Sequence, residues 1–218
     1  MRIYSFVFAF AVLAASTLHA DIIIDNFDAG NTIVRTTVGT TTQGTSATSI
    51  LGGQRDDSLT LVDLGGDEFI GSMGFGGELT VSQGDLDQIT GSLVYDNFTA
   101  LDFTEGGLNN QFALDFVGSD ASFPVTNALS ITATSGSNTD TQFITIPPTA
   151  NLGVATVDFA SFSGVDFTQL DAVSIEYDFA SDPGRDFRID TFSAIPEPTA
   201  VAFLGLGGLG LMLRRRRK

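Results

Sequence analysis

The chain has 218 residues, with 26 acidic side chains against 10 basic ones, one histidine and neither cysteine nor tryptophan. The lack of cysteine excludes a disulfide framework and a thiolate metal centre, so stability has to come from a packed core. Between Asp21 and Pro198 only Arg35, Arg55, Arg185 and Arg188 stand against all 26 acids, and four against 26 leaves a formal charge of −22. Such a surface repels phosphate backbones and argues against a nucleic-acid partner.

The first element is an address. Arg2 precedes an apolar run from Ile3 through Ala15, and Ser16-Thr17-Leu18-His19-Ala20 leads to Asp21. This is the three-part layout of a secretory signal peptide over residues 1–20, cut by signal peptidase between Ala20 and Asp21. The run is too short to cross a ~30 Å hydrocarbon core as a permanent helix.

From Asp21 onward the pattern is alternation. Val173, Ile175, Tyr177 and Phe179 point one way, and Ser174, Glu176 and Asp178 the other, as in a half-buried antiparallel strand. Phe112-Leu114-Phe116 and Leu129-Ile131-Ala133 repeat it, with shorter versions at Leu59-Leu61, Leu79-Val81, Val157-Phe159 and Phe187-Ile189. Gly52-Gly53, Gly65-Gly66, Gly76-Gly77, Gly106-Gly107, Pro147-Pro148 and Asp182-Pro183-Gly184 punctuate these runs as turns. About ten short strands at this spacing predict one all-β domain over residues 21–195, an antiparallel β-sandwich of the jelly-roll kind. The threonine-rich stretch Thr36 to Ser49 reads as a flexible loop or an exposed strand. Gly71 to Gly77 reads as a turn, and Ser193 to Pro198 as the short tether to the tail.

The tail has three parts in fixed order: Pro196-Glu197-Pro198, an uncharged apolar stretch from Thr199 to Leu213, and Arg214-Arg215-Arg216-Arg217-Lys218. As a helix the apolar stretch spans about 22 Å at 1.5 Å per residue, and long arginine side chains reaching the headgroups cover part of the shortfall. The cations predict a cytoplasmic end, which puts the acidic domain outside and agrees with the N-terminal signal. Residues 196–218 resemble the PEP-CTERM sorting signal. The resemblance implies recognition of Pro196, Glu197 and Pro198 by an exosortase, a membrane-embedded cysteine protease-like enzyme, while residues 199–213 form a transmembrane sorting helix and Arg214 to Lys218 the basic stop.

A second resemblance concerns the middle. Ile24-Asp25-Asn26-Phe27-Asp28, Leu51-Gly52-Gly53-Gln54-Arg55-Asp56 and Asp186-Phe187-Arg188-Ile189-Asp190 look like landmarks of galactose-binding-like jelly rolls, including some carbohydrate-binding modules. It implies a fold rather than an activity, since one such fold carries many functions.

Once His19 leaves with the signal, the mature chain has no His, Cys, Lys or Trp. That excludes Ser-His-Asp and Cys-His nucleophiles, a histidine zinc site and a Schiff-base lysine. Carboxylate pairs remain, but Asp56-Asp57, Asp67-Glu68 and Asp85-Asp87 all lie beside turn residues and none stands out as the pair of a glycosidase. For stacking on a sugar the residues left are Tyr95 and some phenylalanines, Tyr177 being in phase with the core. No cofactor is expected beyond a structural calcium ion, for which Asp25, Asp28 and Asp190 are the nearest candidates. No recognised calcium-loop spacing supports them. The reading is an exported surface or matrix protein, non-enzymatic, associated with exopolysaccharide. A carbohydrate-binding module and a carboxylate-dependent glycosidase are the alternatives.

Overall fold

The computed structural model describes residues 21–65, 71–122, 124–181 and 183–197. The signal peptide including Ala20, the acids Asp67 and Glu68, and the tail from Pro198 through Lys218 lie outside these residues.

The described chain forms thirteen strands: β1 (Ile22–Asp25), β2 (Ile33–Arg35), β3 (Gly39–Ser46), β4 (Gln54–Asp63), β5 (Gly71–Gly74), β6 (Leu79–Ser82), β7 (Gln88–Tyr95), β8 (Gln111–Ser119), β9 (Val125–Ser135), β10 (Asn138–Ile146), β11 (Gly153–Asp158), β12 (Ala172–Asp178) and β13 (Phe187–Ile195). They pair into two antiparallel sheets, a six-stranded one in the order β10-β9-β12-β7-β4-β3 and a seven-stranded one in the order β11-β8-β13-β6-β5-β2, with β1 adding to β13. This is the all-β jelly-roll sandwich that the alternation predicts. Each sheet turns one face inward, so strands carry apolar side chains at every second position.

In β12 the expected phase is kept: Val173, Ile175 and Tyr177, with Phe179 just beyond, are buried, and Glu176 and Asp178 are exposed, while Ser174, which donates to Glu176, is buried as well. Gly91 of β7 is paired directly with Tyr177, and the phenol ring fills the space over it; a Cβ at Gly91 would lie 2.2 Å from Tyr177 Oη and 2.7 Å from the Ser58 carbonyl oxygen. A strand glycine here leaves room for the phenol end of Tyr177.

One alternative is decided and three expectations are corrected. The stretch from Thr36 to Ser49 contains β3, a strand paired along its whole length with β4, because β-branched threonines suit an exposed edge. Gly71 to Gly74 forms β5 rather than a turn, with Met73 buried, and the turn is confined to the residues that follow. Phe159 lies beyond the end of β11, in a short 3-10 turn, Phe159–Ser161, where its ring closes one end of the sandwich. Ser193 to Ile195 is not a tether but the end of β13, with Ser193 and Ala194 buried.

The abundant phenylalanines plug that same end. Phe112 of β8 meets Phe103, Phe159, Phe162 and Phe167 edge-on at 4.9–6.0 Å. Phe159 and Phe167 stack face to face at 4.0 Å. Backbone bonds between Leu101 and Leu170, and from Phe103 N–H to the Phe167 carbonyl, close the two loops carrying these rings over the core.

Candidate functional site

Strand register lines up one side chain from each strand across the outer face of the six-stranded sheet. Phe143 (β10) is opposite Ser130 (β9), Ser130 opposite Glu176 (β12), Glu176 opposite Ser92 (β7), Ser92 opposite Ser58 (β4) and Ser58 opposite Thr42 (β3). Strands about 4.8 Å apart make this row some 24 Å long. It crosses a shallow groove of about 640 Å³ whose lining includes Ser58, Thr90, Ser92, Ser130, Thr141, Phe143, Glu176 and Asp178. Short hydroxyl side chains on the central strands leave the trough. At one end β9 bulges between its pairings with Ile144 and Ile146, and Asn127 there takes a left-handed conformation (φ 63°) that brings it into the lining.

Hydrogen bonds preset the polar groups. Thr141 and Thr132 hydroxyls lie 2.8 Å apart, and Thr132 in turn donates to Glu176 Oε1 at 3.4 Å. Ser174 donates to the same carboxylate oxygen at 3.1 Å, and Ser58 and Ser92 hydroxyls are 3.1 Å apart. Glu176 therefore keeps acceptor capacity beyond what its neighbours use, on a face lined by hydroxyls that donate and accept. Phe143 is 58% exposed, and among the described residues no lysine or arginine lines the groove. The arrangement presents an apolar ring for stacking, hydroxyls for paired hydrogen bonds and carboxylates as acceptors, a surface suited to an extended polyhydroxylated chain.

The sequence-predicted candidates fall elsewhere. Tyr95 is fully buried, its hydroxyl donating to Asp25 Oδ2 at 3.0 Å, and cannot stack on a ligand. Asp57 is not a solubilising turn residue: it is buried in β4, where Arg55 Nε donates to its Oδ1 at 2.5 Å and Thr45 donates to its Oδ2 at 3.0 Å. Asp25 is equally committed. Its Oδ2 is paired with Arg55, and its Oδ1 accepts the Phe27 N–H at 2.7 Å. The calcium candidates therefore do not form one open site: Asp25 is neutralised by Arg55, Asp28 accepts from Asn26 Nδ2 at 2.6 Å, and Asp190 accepts from Thr191. Among the described residues no group of three or more acidic or histidine side chains is placed to hold a metal ion. Of the tail motif, Pro196 and Glu197 directly follow β13, and Asp21 is the exposed residue before β1.

Arg55 is the feature that sequence reading missed. It is fully buried, with its guanidinium 3.9 Å from the Phe75 ring centroid and a bond from Nη2 to the Ala29 carbonyl at 3.1 Å. Desolvation pushes the Asp25 carboxyl above the ordinary carboxylate range, against the pull of Arg55. Burial also drives the Tyr95 phenol well above its usual value, with the Asp25 charge adding to the effect, so Tyr95 stays a donor.

Fold and tail together define an exported β-sandwich that ends in a sorting signal. The tail matches the PEP-CTERM protein-sorting motif over residues 194–217. The chain is thus an exported protein, held in the membrane by its C-terminal sorting signal before display at the cell surface. No curated protein matches it. Among solved structures it is similar to a family 11 carbohydrate-binding module from Clostridium thermocellum in complex with a beta-1,3-1,4-mixed-linked tetrasaccharide (15% identity, TM-score 0.38, covering 81% of this chain and 95% of that one). It is similar also to the family 11 module of the cellulosomal cellulase Lic26A-Cel5E of the same organism (13%, TM-score 0.38, 83% and 97%). A third likeness is to an exo-beta-agarase, of which the chain covers 26% (11%, TM-score 0.40, 83% of this chain). At these scores the likenesses add nothing to what the strand order already establishes.

Proposed function

We propose that the module is a non-enzymatic, polysaccharide-associated adhesive unit, displayed after exosortase removes the tail, and that it holds glycan along the Phe143-to-Thr42 row. The row itself carries this reading: six side chains in register, most of them hydroxyls, end in an exposed ring. With Glu176 and Asp178 in the groove and no cation among the described residues lining it, the ligand is a neutral or amino-sugar polymer, and a uronate-rich or sulfated chain is repelled. The boundaries at Ala20–Asp21 and after Ile195 belong to the same proposal, with signal peptidase and exosortase as the processing partners.

The test is affinity electrophoresis of the 21–195 fragment, which contains both sheets and the whole core, against neutral, amino-sugar and acidic polysaccharides. Retardation by the first or second class and none by the third is expected. Mobility unchanged by every polymer removes the adhesive reading, and new reducing ends appearing on incubation favour the glycosidase alternative. Truncation after Ile195 releases the fragment from membranes; its retention there would show that the tail is not the anchor.

A further inference from the structure

The two ends of the module leave it side by side. Ile22 pairs with Ala194, so β1 begins where β13 stops. The ladder runs to the last residue of the strand: Ile195 pairs with Gln111, and its carbonyl accepts the Asn110 N–H at 3.1 Å. Pro196 is the first residue beyond the strand, and the sorting-motif match begins at Ala194, inside it. This is also the end that the phenylalanine plug closes, since Phe112 pairs with Ala194 and Phe159 N–H bonds the Asn110 carbonyl.

From this juxtaposition we infer that the phenylalanine-plugged end of the sandwich is the face presented to the membrane-embedded sorting protease, and that the ladder at Ile195 confines the cut to Pro196 and positions beyond it. The inference rests on the sorting reading. A protease takes its substrate as an extended segment, with main-chain hydrogen bonds on either side of the scissile bond. Upstream of Pro196 those groups are already used: Ile195, Ala194 and Ser193 pair with β8, and Ala194 and Ser193 also pair with β1. Freeing them exposes Phe192 and Ala194, both fully buried, from a strand flanked on both sides. Opening of that kind approaches global unfolding in cost. The folded module therefore acts as a gauge. The enzyme works against its end, and the peptide C–N bond it breaks, passing the acyl half to water or another hydroxyl or amine nucleophile, lies in the motif or the tail. The product keeps β13 whole.

The experiment compares the full chain with a variant carrying a short Gly-Ser spacer between Ile195 and Pro196, both expressed in a host that encodes an exosortase. Pulse-chase gives the processing rate, and mass spectrometry gives the C-terminus of the product. The expected result is a wild-type product ending at Pro196 or later, with processing of the spacer variant faster by severalfold. A product ending inside β13, or equal rates for the two chains, overturns the gauge. If the tail stays on both chains, the sorting reading itself fails, and that outcome is distinct because no product forms at all. Circular dichroism of both chains confirms that the spacer leaves the sandwich folded.

Discussion

Arg55 and Asp25 form a fully buried ion pair that ties the first strand of the seven-stranded sheet to the fourth strand, in the six-stranded sheet. Arg55 also holds Asp57, and Tyr95 donates to Asp25, so four side chains from three strands form one network between the layers. Phe27 is locked beside it in a left-handed conformation (φ 55°), its N–H on Asp25 and its carbonyl taking the N–H groups of Gly76 and Gly77. A non-glycine residue held this way stores strain of order 1–3 kcal/mol, which the surrounding bonds have to offset.

Removing the cation should hurt far more than removing one anion. Arg55→Met leaves the buried carboxylates of Asp25 and Asp57 without their counter-charge and should lower unfolding free energy by about 3–5 kcal/mol. Asp25→Asn leaves Arg55 paired with Asp57 and keeps a polar side chain of the same shape in the network, so its cost should be roughly 1–3 kcal/mol. Urea titration of both variants decides it, and equal losses would mean that the network does not act as a unit.

The phenylalanine plug gives a second stability prediction. Phe112→Ala removes the ring that touches Phe103, Phe159, Phe162, Phe167 and Phe192, and should cost about 3–5 kcal/mol. Hydrogen exchange in the loops around Leu101 and Leu170 should rise with it, since those loops rest on the plug. Unchanged exchange there would show that the loops hold themselves.

Much of this fold was legible in the sequence because period-2 alternation needs no knowledge of partners. The phase of β12 could be read directly, and Glu176 and Asp178 were already on the outward side. What alternation cannot supply is register. The row from Phe143 to Thr42 exists only once six strands are aligned, and single residues such as Ser58 or Thr42 carry no local signal of it. Arg55 and Asp57 were hidden for a related reason. They occupy the inward phase of β4, continuing Leu59 and Leu61, but charged residues beside Gly52-Gly53 look like turn solubilisers until a second strand delivers Asp25. Tyr95 falls in the inward phase of β7 with Leu93, and that phase was the available clue to its burial.

Acid should loosen one set of loops before the core. Asp102 is held below the ordinary carboxylate value by the Thr104 hydroxyl and by backbone N–H groups, and Asp166 by Thr168. Asp171 is lowered by the N–H groups of Gly136 and Ala100, at 2.6 and 3.2 Å. A carboxyl whose folded value is depressed contributes stability that is present above its unfolded value, here 3.8, and is lost as pH falls through the folded one. Carboxyl chemical shifts followed by NMR should therefore titrate below 3.8 at these three sites, with amide protection at Gly136 and Ala100 falling in step. Titration of Asp171 at or above that value would break the link between its bonds and the loop.

The last prediction separates binding from folding on the glycan row. Phe143 is 58% exposed at the outer edge of the sheet, so Phe143→Ala leaves the core intact and should change stability by no more than about 0.5 kcal/mol. The same change removes the ring that would stack on a sugar, and affinity for a bound neutral or amino-sugar polymer should fall about tenfold, equivalent to ~1.4 kcal/mol. Glu176→Gln keeps the shape of the groove and one acceptor oxygen but removes the charge at its centre. Binding of a neutral glycan should then weaken modestly, binding of an amino-sugar polymer should weaken more, and the repulsion of an acidic polymer should ease. Calorimetric titration of the three polymer classes against wild type and both variants measures all of this at once. If Phe143→Ala binds as tightly as wild type while remaining folded, the hydroxyl row is an ordinary solvated face of a β-sandwich, and the ligand must be sought on another surface.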